Sequence, residues 1–313
     1  MSLTLITTPT FGRFSTEPWE LLRNAGVDAQ RPREDGPLPR AELLARVGEA
    51  EALIVGLDPI DREVFEAAPK LKVVAKHGVG YDNIDLDAAR DHGVRVVYAP
   101  GSNSRAVAEL TFGLLLDVAR GISANDRAVR AGGWPKTFGV ELAGRSLGIL
   151  GFGRIGRLMA GYAEAFGMNV VAHDPFLAAD AFGSVASADL ATTLDCDVVS
   201  LHLPAAPGAG PLLDRERLSA MRPGSILLNA ARGGLVDEQA LADLLHSGHF
   251  AGAGFDAFAL EPIGDSPLAS APNVVLTAHI GACSREANAA MGIAVAEGVL
   301  SVLGGTEPRH SAV

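Results

Sequence analysis

The chain has 313 residues, of which 48% are hydrophobic and 20% are charged. This composition excludes a disordered chain and is typical of a globular protein with room for two domains. The formal net charge of −11 argues against nucleic acid and anionic membranes as partners. The two cysteines, Cys196 and Cys283, have neither metal-ligand nor redox spacing. We therefore expect no metal site, two reduced and mostly buried thiols, and a cytoplasmic location.

The N-terminal residues 1–9 have no basic start and no long apolar core, which predicts a first strand rather than a signal peptide. No run in the sequence reaches the roughly 18 to 20 apolar residues that a membrane span needs, so we expect no membrane contact.

Strand-like apolar runs alternate with helical patterns through the first hundred residues. Strands are predicted at 3–7, 52–55, 71–76 and 94–98, and helices around 18–25, 40–50, 61–67 and 85–92. This βα alternation predicts a parallel sheet covered by helices.

A second series begins after Gly101, where Ser102, Asn103 and Ser104 are all good helix N-caps. A long amphipathic helix is predicted at 104–122, because apolar residues recur there at helical spacing: Val107, Leu110, Leu114, Leu115, Val118 and Ile122. Strands are predicted at 146–150, 169–173, 198–201, 225–229, 252–256 and 274–277, and a last helix at 286–303.

The pattern predicts two doubly wound α/β domains, the second (102–282) inserted into the first (1–101 and 283–313). Ligands of such folds usually bind in a cleft, which we expect between the domains.

The sequence Gly151-Phe-Gly-Arg-Ile-Gly156 lies between a predicted strand and a predicted helix at 155–166. The first glycine would permit the tight turn, the second the approach of a pyrophosphate to the helix N-terminus, and the third close packing of helix on sheet. Asp174 follows the next strand, where a carboxylate would meet the adenosine ribose diol and disfavour the 2′-phosphate of NADP. The pattern indicates an NAD site; a tight βα turn without ligand is the alternative.

Three later segments, 229–238, 256–262 and 277–281, each carry one side chain suited to catalysis: Arg232, Glu261 and His279. A guanidinium can hold the carboxylate and carbonyl of a 2-oxo acid in a fork. An imidazolium can protonate the carbonyl oxygen as hydride reaches carbon, and a carboxylate can orient the ring and favour its charged form. Together with the glycine motif, these residues indicate hydride transfer.

These segments resemble the D-isomer-specific 2-hydroxyacid dehydrogenase family, and within it the D-3-phosphoglycerate dehydrogenases. Further matching motifs lie at 76–85, 101–109, 201–204 and 221–224. The resemblance implies a Rossmann NAD-binding domain inserted into a flavodoxin-like substrate domain. It also implies NAD as cofactor, a small 2-hydroxy or 2-oxo acid as substrate, and a homodimer that forms through the cofactor domain, with helix 104–122 and Trp134 at the interface.

Further site residues follow from the resemblance. The cofactor-binding set comprises Gly151, Gly153, Arg154, Ile155, Gly156, Asp174, His202, Pro204, Ala230 and Asp256. In that set, Asp256 would contact the nicotinamide carboxamide, and His202 would be structural or lie near the cofactor edge. The substrate set comprises Lys76, His77, Gly78, Val79 and Gly80, together with Arg232. Backbone N–H groups of residues 78–80 would form an anion nest for the substrate carboxylate.

Two departures from the family pattern leave the substrate open. Gly56 and Leu57 stand where Arg-Ser is common, which leaves Lys76 as the expected phosphate cation, and Ala278 replaces the usual proline before His279. A glyoxylate or hydroxypyruvate reductase is therefore an alternative, and an NADH-sensing, protein-binding corepressor a remote one. Formate dehydrogenases of this fold pair the histidine with glutamine, so Glu261 disfavours that activity. The sequence ends at Val313, so we expect no feedback by serine through an added C-terminal regulatory domain.

Overall fold

The computed structural model describes residues 2–33, 38–205 and 208–313. They form two compact units, one made of residues 1–103 and 282–313 and the other of residues 104–281.

The first unit is built on a five-stranded parallel sheet. Its strands are β1 (Leu3–Ile6), β2 (Asp28–Gln30), β3 (Ala52–Val55), β4 (Val73–Lys76) and β5 (Arg95–Tyr98). Its helices are α1 (Glu17–Asn24), α2 (Arg40–Arg46), α3 (Arg62–Ala67), α4 (Leu86–Asp91) and a C-terminal helix, Arg285–Leu303, with a 3₁₀ turn at Val47–Glu49. The strand order β2-β1-β3-β4-β5 is the flavodoxin-like order. Strands β3 and β4 are buried along their whole length, as expected for a parallel sheet with both faces covered.

The C-terminal helix belongs to the core of this unit. Met291, Val295 and Val299 are buried, and a side chain at Gly292 would collide with Pro18 of α1. By length and composition alone this helix could cross a membrane, but Arg285, Glu286 and Glu297 interrupt its apolar residues, so the sequence expectation of no unbroken apolar run of that length is not contradicted. The core helix of a soluble protein meets the same criterion.

The second unit is built on a seven-stranded parallel sheet. It begins with α5 (Ser104–Arg120) and α6 (Ile122–Arg130). The strands are β6 (Ser146–Leu150), β7 (Asn169–His173), β8 (Ala186–Ser187), β9 (Val198–Leu201), β10 (Ile226–Asn229), β11 (Gly252–Phe255) and β12 (Val274–Leu276). The remaining helices are α7 (Arg154–Ala165), α8 (Leu190–Leu194), α9 (Arg215–Ala220) and α10 (Glu238–His246), so the C-terminal helix of the first unit is α11. The order β12-β11-β10-β9-β6-β7-β8 reverses at β6, as in Rossmann sheets. The predicted fold class is confirmed.

Two predicted helices were too long: the helix around 40–50 ends at Arg46 and is followed by the 3₁₀ turn, and the second case is the helix that begins the second unit. The long helix predicted at 104–122 ends at Arg120, because Gly121 adopts a left-handed conformation with φ of +62° and separates α5 from α6. Ile122 therefore starts a new helix and is 54% exposed instead of lying in the buried stripe.

The sheet of the second unit brings the sequence motifs to one edge. In a parallel sheet, the carboxyl ends of all strands meet at the same side. Gly151 follows β6, Asp174 follows β7 and His202 follows β9. Ala230 and Asp256 likewise follow β10 and β11 directly. Segments far apart in sequence thus become neighbours at this edge.

Candidate active site

The glycine-rich turn after β6 has the backbone geometry of a dinucleotide loop. Gly151 has a φ of +90°, and an added Cβ would lie 2.4 Å from the carbonyl oxygen of His202. A Cβ at Gly156 would lie 2.3 Å from the carbonyl oxygen of Gly151, so α7 packs tightly on the turn. At Gly153, by contrast, a Cβ would meet no atom within 4 Å. The open position at the N-terminus of α7 fits a pyrophosphate approaching the backbone.

Asp174 is joined to this turn by a hydrogen bond. One carboxylate oxygen accepts from the backbone N–H of Phe152 at 2.9 Å, and the other from the N–H of Phe176 at 3.1 Å. Each carboxylate oxygen can accept a second hydrogen bond, so the group still fits a ribose diol. The structure therefore links the residue expected to bind the ribose with the loop expected to bind the pyrophosphate.

The other predicted cofactor residues differ in their surroundings. Arg154 and Pro204 are exposed, whereas Ile155 and Ala230 are half-buried. His202 donates to or accepts from the Ser200 hydroxyl through Nε2 at 2.8 Å, and burial lowers the pKa of its imidazole to about 3. A ring held neutral in this way cannot act as a general acid near neutral pH.

Arg232 lies in the turn between β10 and a 3₁₀ segment, Gly233–Leu235. Its backbone carbonyl accepts from the side-chain amide of Asn229 at 2.9 Å, and its guanidinium donates to the carbonyl of Ala231 at 2.8 Å. Asn229 is fully buried at the end of β10, so it ties the turn to the sheet. The sheet thus fixes the backbone from which the guanidinium extends.

Glu261 and His279 form a close pair, as their chemistry predicted. Nδ1 of His279 lies 2.8 Å from Oε2 and 3.0 Å from Oε1 of Glu261. Oε1 also accepts from the backbone N–H of Phe258 at 3.0 Å. Because Nδ1 faces the carboxylate, Nε2 is the ring nitrogen that can serve a substrate. Both side chains are partly exposed, at 33% for Glu261 and 41% for His279.

The backbone at His279 is unusual, because its φ of +51° lies in the left-handed region that non-glycine residues seldom adopt. The buried carboxylate of Asp256 holds the turn on either side of it. Oδ1 accepts from the Thr277 hydroxyl at 2.6 Å and from the Ile280 N–H at 2.8 Å, and Oδ2 accepts from the Gly281 N–H at 2.8 Å. Asp256, predicted to contact nicotinamide, thus also fixes the backbone that carries the imidazole.

Sequence reasoning missed Glu238, the first residue of α10. Its carboxylate accepts from the backbone N–H of Ala259 and from the hydroxyl of Ser266, each at 2.7 Å. These residues lie on either side of Glu261 in the chain. Acidic residues are common in the first turn of helices, where they stabilise the N-terminus. No local signal in the sequence therefore distinguishes Glu238 from such a residue.

In the first unit, the predicted substrate residues lie at the end of β4, of which Lys76 is the last residue, and directly after it. Lys76 is buried, and its ammonium donates to the Gly56 carbonyl and to Oδ1 of Asn83. The Gly78 N–H donates to the Lys76 carbonyl at 2.8 Å, so one of the three predicted nest donors already has a partner. Val79 and Gly80 are half-buried.

His77, the remaining substrate candidate, is also buried. Its Nδ1 lies 3.4 Å from the Thr10 hydroxyl, and its ring meets Phe11 edge to face. Burial lowers the pKa of His77 to about 4.

The two cysteines differ in their exposure to solvent. Cys196 is buried as expected, but Cys283 is exposed, because it lies in the turn that precedes α11. Within residues 2–33, 38–205 and 208–313, no group of three or more histidine, cysteine or acidic side chains could hold a metal ion.

Comparison with known proteins identifies the family. Residues 112–281 match the family model described as D-isomer specific 2-hydroxyacid dehydrogenase, NAD binding domain. D-3-phosphoglycerate dehydrogenase of Mycobacterium leprae is 47% identical over 278 residues, which are 87% of this chain and 52% of that protein. Glyoxylate reductase of Thermococcus litoralis is 39% identical over 87% of this chain and 86% of that protein.

A solved structure is similar over the whole chain. The TT0316 protein from Thermus thermophilus has a TM-score of 0.90 and 41% identity, covering 99% of this chain and 100% of that one. The chain spans about half the length of the phosphoglycerate dehydrogenases that it matches. The predictions of the family and of NAD as cofactor are confirmed: the chain belongs to the D-isomer-specific 2-hydroxyacid dehydrogenase family and carries its NAD-binding domain.

Proposed function

We propose that the chain is an NAD-dependent oxidoreductase that interconverts a D-2-hydroxy acid and its 2-oxo acid. The observation that carries this proposal is the pairing of His279 with Glu261 at 2.8 Å on the NAD-binding unit. Bound NAD supplies the hydride acceptor, and NADH the hydride donor, at C4 of the nicotinamide. A histidine whose second ring nitrogen is held by a carboxylate supplies the proton that this chemistry also needs.

Each catalytic residue has a defined task. In the reductive direction, Nε2 of His279 donates a proton to the carbonyl oxygen, and in the oxidative direction it accepts the hydroxyl proton. Glu261 fixes the orientation of the ring through Nδ1. Arg232 holds the substrate carboxylate and carbonyl oxygen in its planar fork, which orients the carbonyl carbon for hydride transfer.

The first unit is proposed to bind substrate through residues 76–80. The support is their place at the carboxyl end of β4 and directly after it, at the edge of the flavodoxin-like sheet where ligands of such folds bind. The N–H groups of Val79 and Gly80 would contact the carboxylate. In the second unit, the pyrophosphate would lie at Gly153 and the N-terminus of α7, and the ribose diol at Asp174.

The leading substrate is 3-phosphohydroxypyruvate with its D-3-phosphoglycerate partner, because relatives named D-3-phosphoglycerate dehydrogenase are 39–47% identical to this chain. A second candidate is an unphosphorylated acid such as glyoxylate or hydroxypyruvate. One observation favours it: the Lys76 ammonium, the expected phosphate cation, already binds the Gly56 carbonyl and Asn83. The match to a glyoxylate reductase also extends over most of that enzyme's length.

The experiment is NADH oxidation at 340 nm with 3-phosphohydroxypyruvate, hydroxypyruvate, glyoxylate, pyruvate and 2-oxoglutarate. A higher kcat/KM for the phosphorylated acid supports the phosphoglycerate activity, and a higher value for a plain acid supports the second candidate. Lys76→Met separates the two further, because it should lower kcat/KM more for the phosphorylated acid than for the plain acids if the ammonium contacts the phosphate. Tight NADH binding without turnover of any acid would favour the corepressor alternative.

We also propose a cytoplasmic homodimer that forms through the second unit. Exposed apolar side chains cluster in sequence on α6 and the segment after it: Ile122, Val129, Trp134 and Phe138, the last of these 99% exposed. Helix α5 itself is largely buried against its own unit, so these residues are the better candidates for the interface. Light scattering should give a dimer of the 32.4 kDa chain, and Trp134→Glu with Phe138→Glu should give a monomer.

A further inference from the structure

Glu238 connects two loops of the proposed active site. It starts α10, six residues after Arg232, and its two carboxylate oxygens contact two points of the segment that follows β11. Oε1 accepts from the backbone N–H of Ala259, two residues before Glu261, and Oε2 accepts from the hydroxyl of Ser266, five residues after it. The carboxylate thus holds this loop at one point before Glu261 and at one point after it.

The same loop packs directly on the turn that carries Arg232. A Cβ added at Gly233 would lie 1.7 Å from the carbonyl carbon of Phe258 and 2.1 Å from the backbone nitrogen of Ala259. The backbone N–H of Phe258 in turn donates to Oε1 of Glu261. The Arg232 turn, the Glu261 loop and the start of α10 are therefore packed together. Glu238 adds a side-chain carboxylate that bonds to the Glu261 loop both before and after Glu261.

We propose that Glu238 is a positioning residue for proton transfer, which fixes the carboxylate of Glu261 against the imidazole of His279. This inference rests on the proposed dehydrogenase function. If the Glu261 loop shifts, Nδ1 loses its fixed partner, and the Nε2 proton is no longer aimed at the carbonyl oxygen. The predicted loss lies in the proton-transfer step, and binding of NADH should be unaffected, because the glycine-rich turn is built from other segments.

The test compares four variants with the wild-type enzyme, using its best substrate from the panel. Glu238→Ala removes both contacts and should lower kcat about tenfold or more. Glu238→Gln should recover most of the activity, because its amide oxygen can accept from the Ala259 N–H and its NH₂ can donate to Ser266. Ser266→Ala removes one contact without changing the charge at the start of α10, and should give an intermediate loss. Gln239→Ala, the matched control on the exposed face of α10, should not change kcat.

Two readouts separate positioning from a general structural effect. The KM for NADH should stay within about twofold of wild type in all variants, because the glycine-rich turn is built from other segments. The solvent deuterium isotope effect on kcat should rise in Glu238→Ala, because proton transfer becomes slower relative to the other steps. A variant that merely folds less well would lose active enzyme without a change in isotope effect.

The outcomes are distinct. Unchanged kcat in Glu238→Ala, or a loss that Gln does not restore, overturns the positioning role while the dehydrogenase function stands. If Glu238→Ala fails to fold, the comparison of Ser266→Ala with Gln239→Ala decides in its place, and equal activity of those two overturns the role. A wild-type enzyme that turns over no acid of the panel overturns the dehydrogenase function, and the positioning role falls with it.

Discussion

The carboxylate of Asp256 accepts a hydrogen bond from the backbone N–H of Gly281 at 2.8 Å, and its other oxygen accepts from Ile280 at the same distance. Both donors lie directly after His279, whose φ of +51° would be costly without such support. The carboxylate is 2% exposed and also binds the Thr277 hydroxyl. A buried anion thus stabilises the strained turn that carries the proposed acid.

Asp256→Asn should therefore impair both stability and catalysis. Asparagine keeps one acceptor oxygen but puts an NH₂ group opposite a backbone N–H, so at least one buried donor loses its partner. We expect the free energy of unfolding to fall by about 1–3 kcal/mol and kcat to fall more than tenfold, as His279 loses its placement. Urea unfolding and steady-state kinetics measure the two effects. Wild-type kcat in a variant of lowered stability would show that the turn keeps its shape without the carboxylate.

Arg232→Lys tests the fork geometry at constant charge. Lysine carries a single ammonium in place of the planar guanidinium, so it cannot hold the carboxylate and carbonyl oxygen together. We expect kcat/KM for the 2-oxo acid to fall by a factor on the order of 10², with the dissociation constant of NADH unchanged. Arg215→Lys on α9, an exposed arginine paired with Asp243, is the matched control. Equal activity of the two variants would remove Arg232 from the substrate site.

The glycine motif offers a pair of contrasting substitutions. Gly156→Ala places a methyl group 2.3 Å from the Gly151 carbonyl oxygen, so we expect loss of stability by about 1–3 kcal/mol together with weaker NADH binding. Gly153→Ala adds a methyl group in open space at an ordinary φ of −76°, so the melting temperature should not fall. The same methyl group would block the pyrophosphate, and the dissociation constant of NADH should rise at least tenfold. Unchanged NADH binding in Gly153→Ala would place the pyrophosphate elsewhere.

Much of this arrangement could be predicted from the sequence, for physical reasons. Strands β3, β6 and β9 are short, mostly apolar runs between helical patterns, and their predicted bounds agree with the structure. The glycines before α7 and the residues Arg232, Glu261 and His279 follow strand ends, so parallel pairing alone places them at one edge.

The features that the sequence could not predict leave no local pattern in it. Strand β2 has three residues, Asp28–Gln30, with an exposed edge and no apolar alternation, so it has no period to recognise. The 17-residue helix α5 ends where one glycine turns left-handed, although the apolar spacing continues to Ile122. Glu238 acts on residues 21 and 28 positions away, and nothing local to α10 marks those partners.

His77 makes stability depend on pH in a predictable direction. Burial lowers its pKa in the folded protein to about 4 from the ordinary value of 6.5. Between pH 4 and 6.5 the imidazole of His77 is protonated in the unfolded chain but neutral in the folded protein. His77 therefore does not lower the free energy of unfolding above pH 6.5, and that free energy falls as the pH drops towards 4. At about 1.36 kcal/mol per pH unit, the loss from this residue is at most about 3 kcal/mol.

The pH effect can be assigned to His77 by comparison with His77→Asn, which retains a polar group near Thr10 but does not titrate. Unfolding in urea at about pH 4.5 and pH 7, followed by the fluorescence of Trp19 in a Trp134→Phe background, reports on the unit that contains His77. Wild type should lose stability relative to His77→Asn as the pH falls. His202, whose pKa burial lowers to about 3, is present in both proteins and cancels. His92→Asn, at the exposed end of α4, is the control, and an equal pH response of the two variants would contradict the assignment to His77.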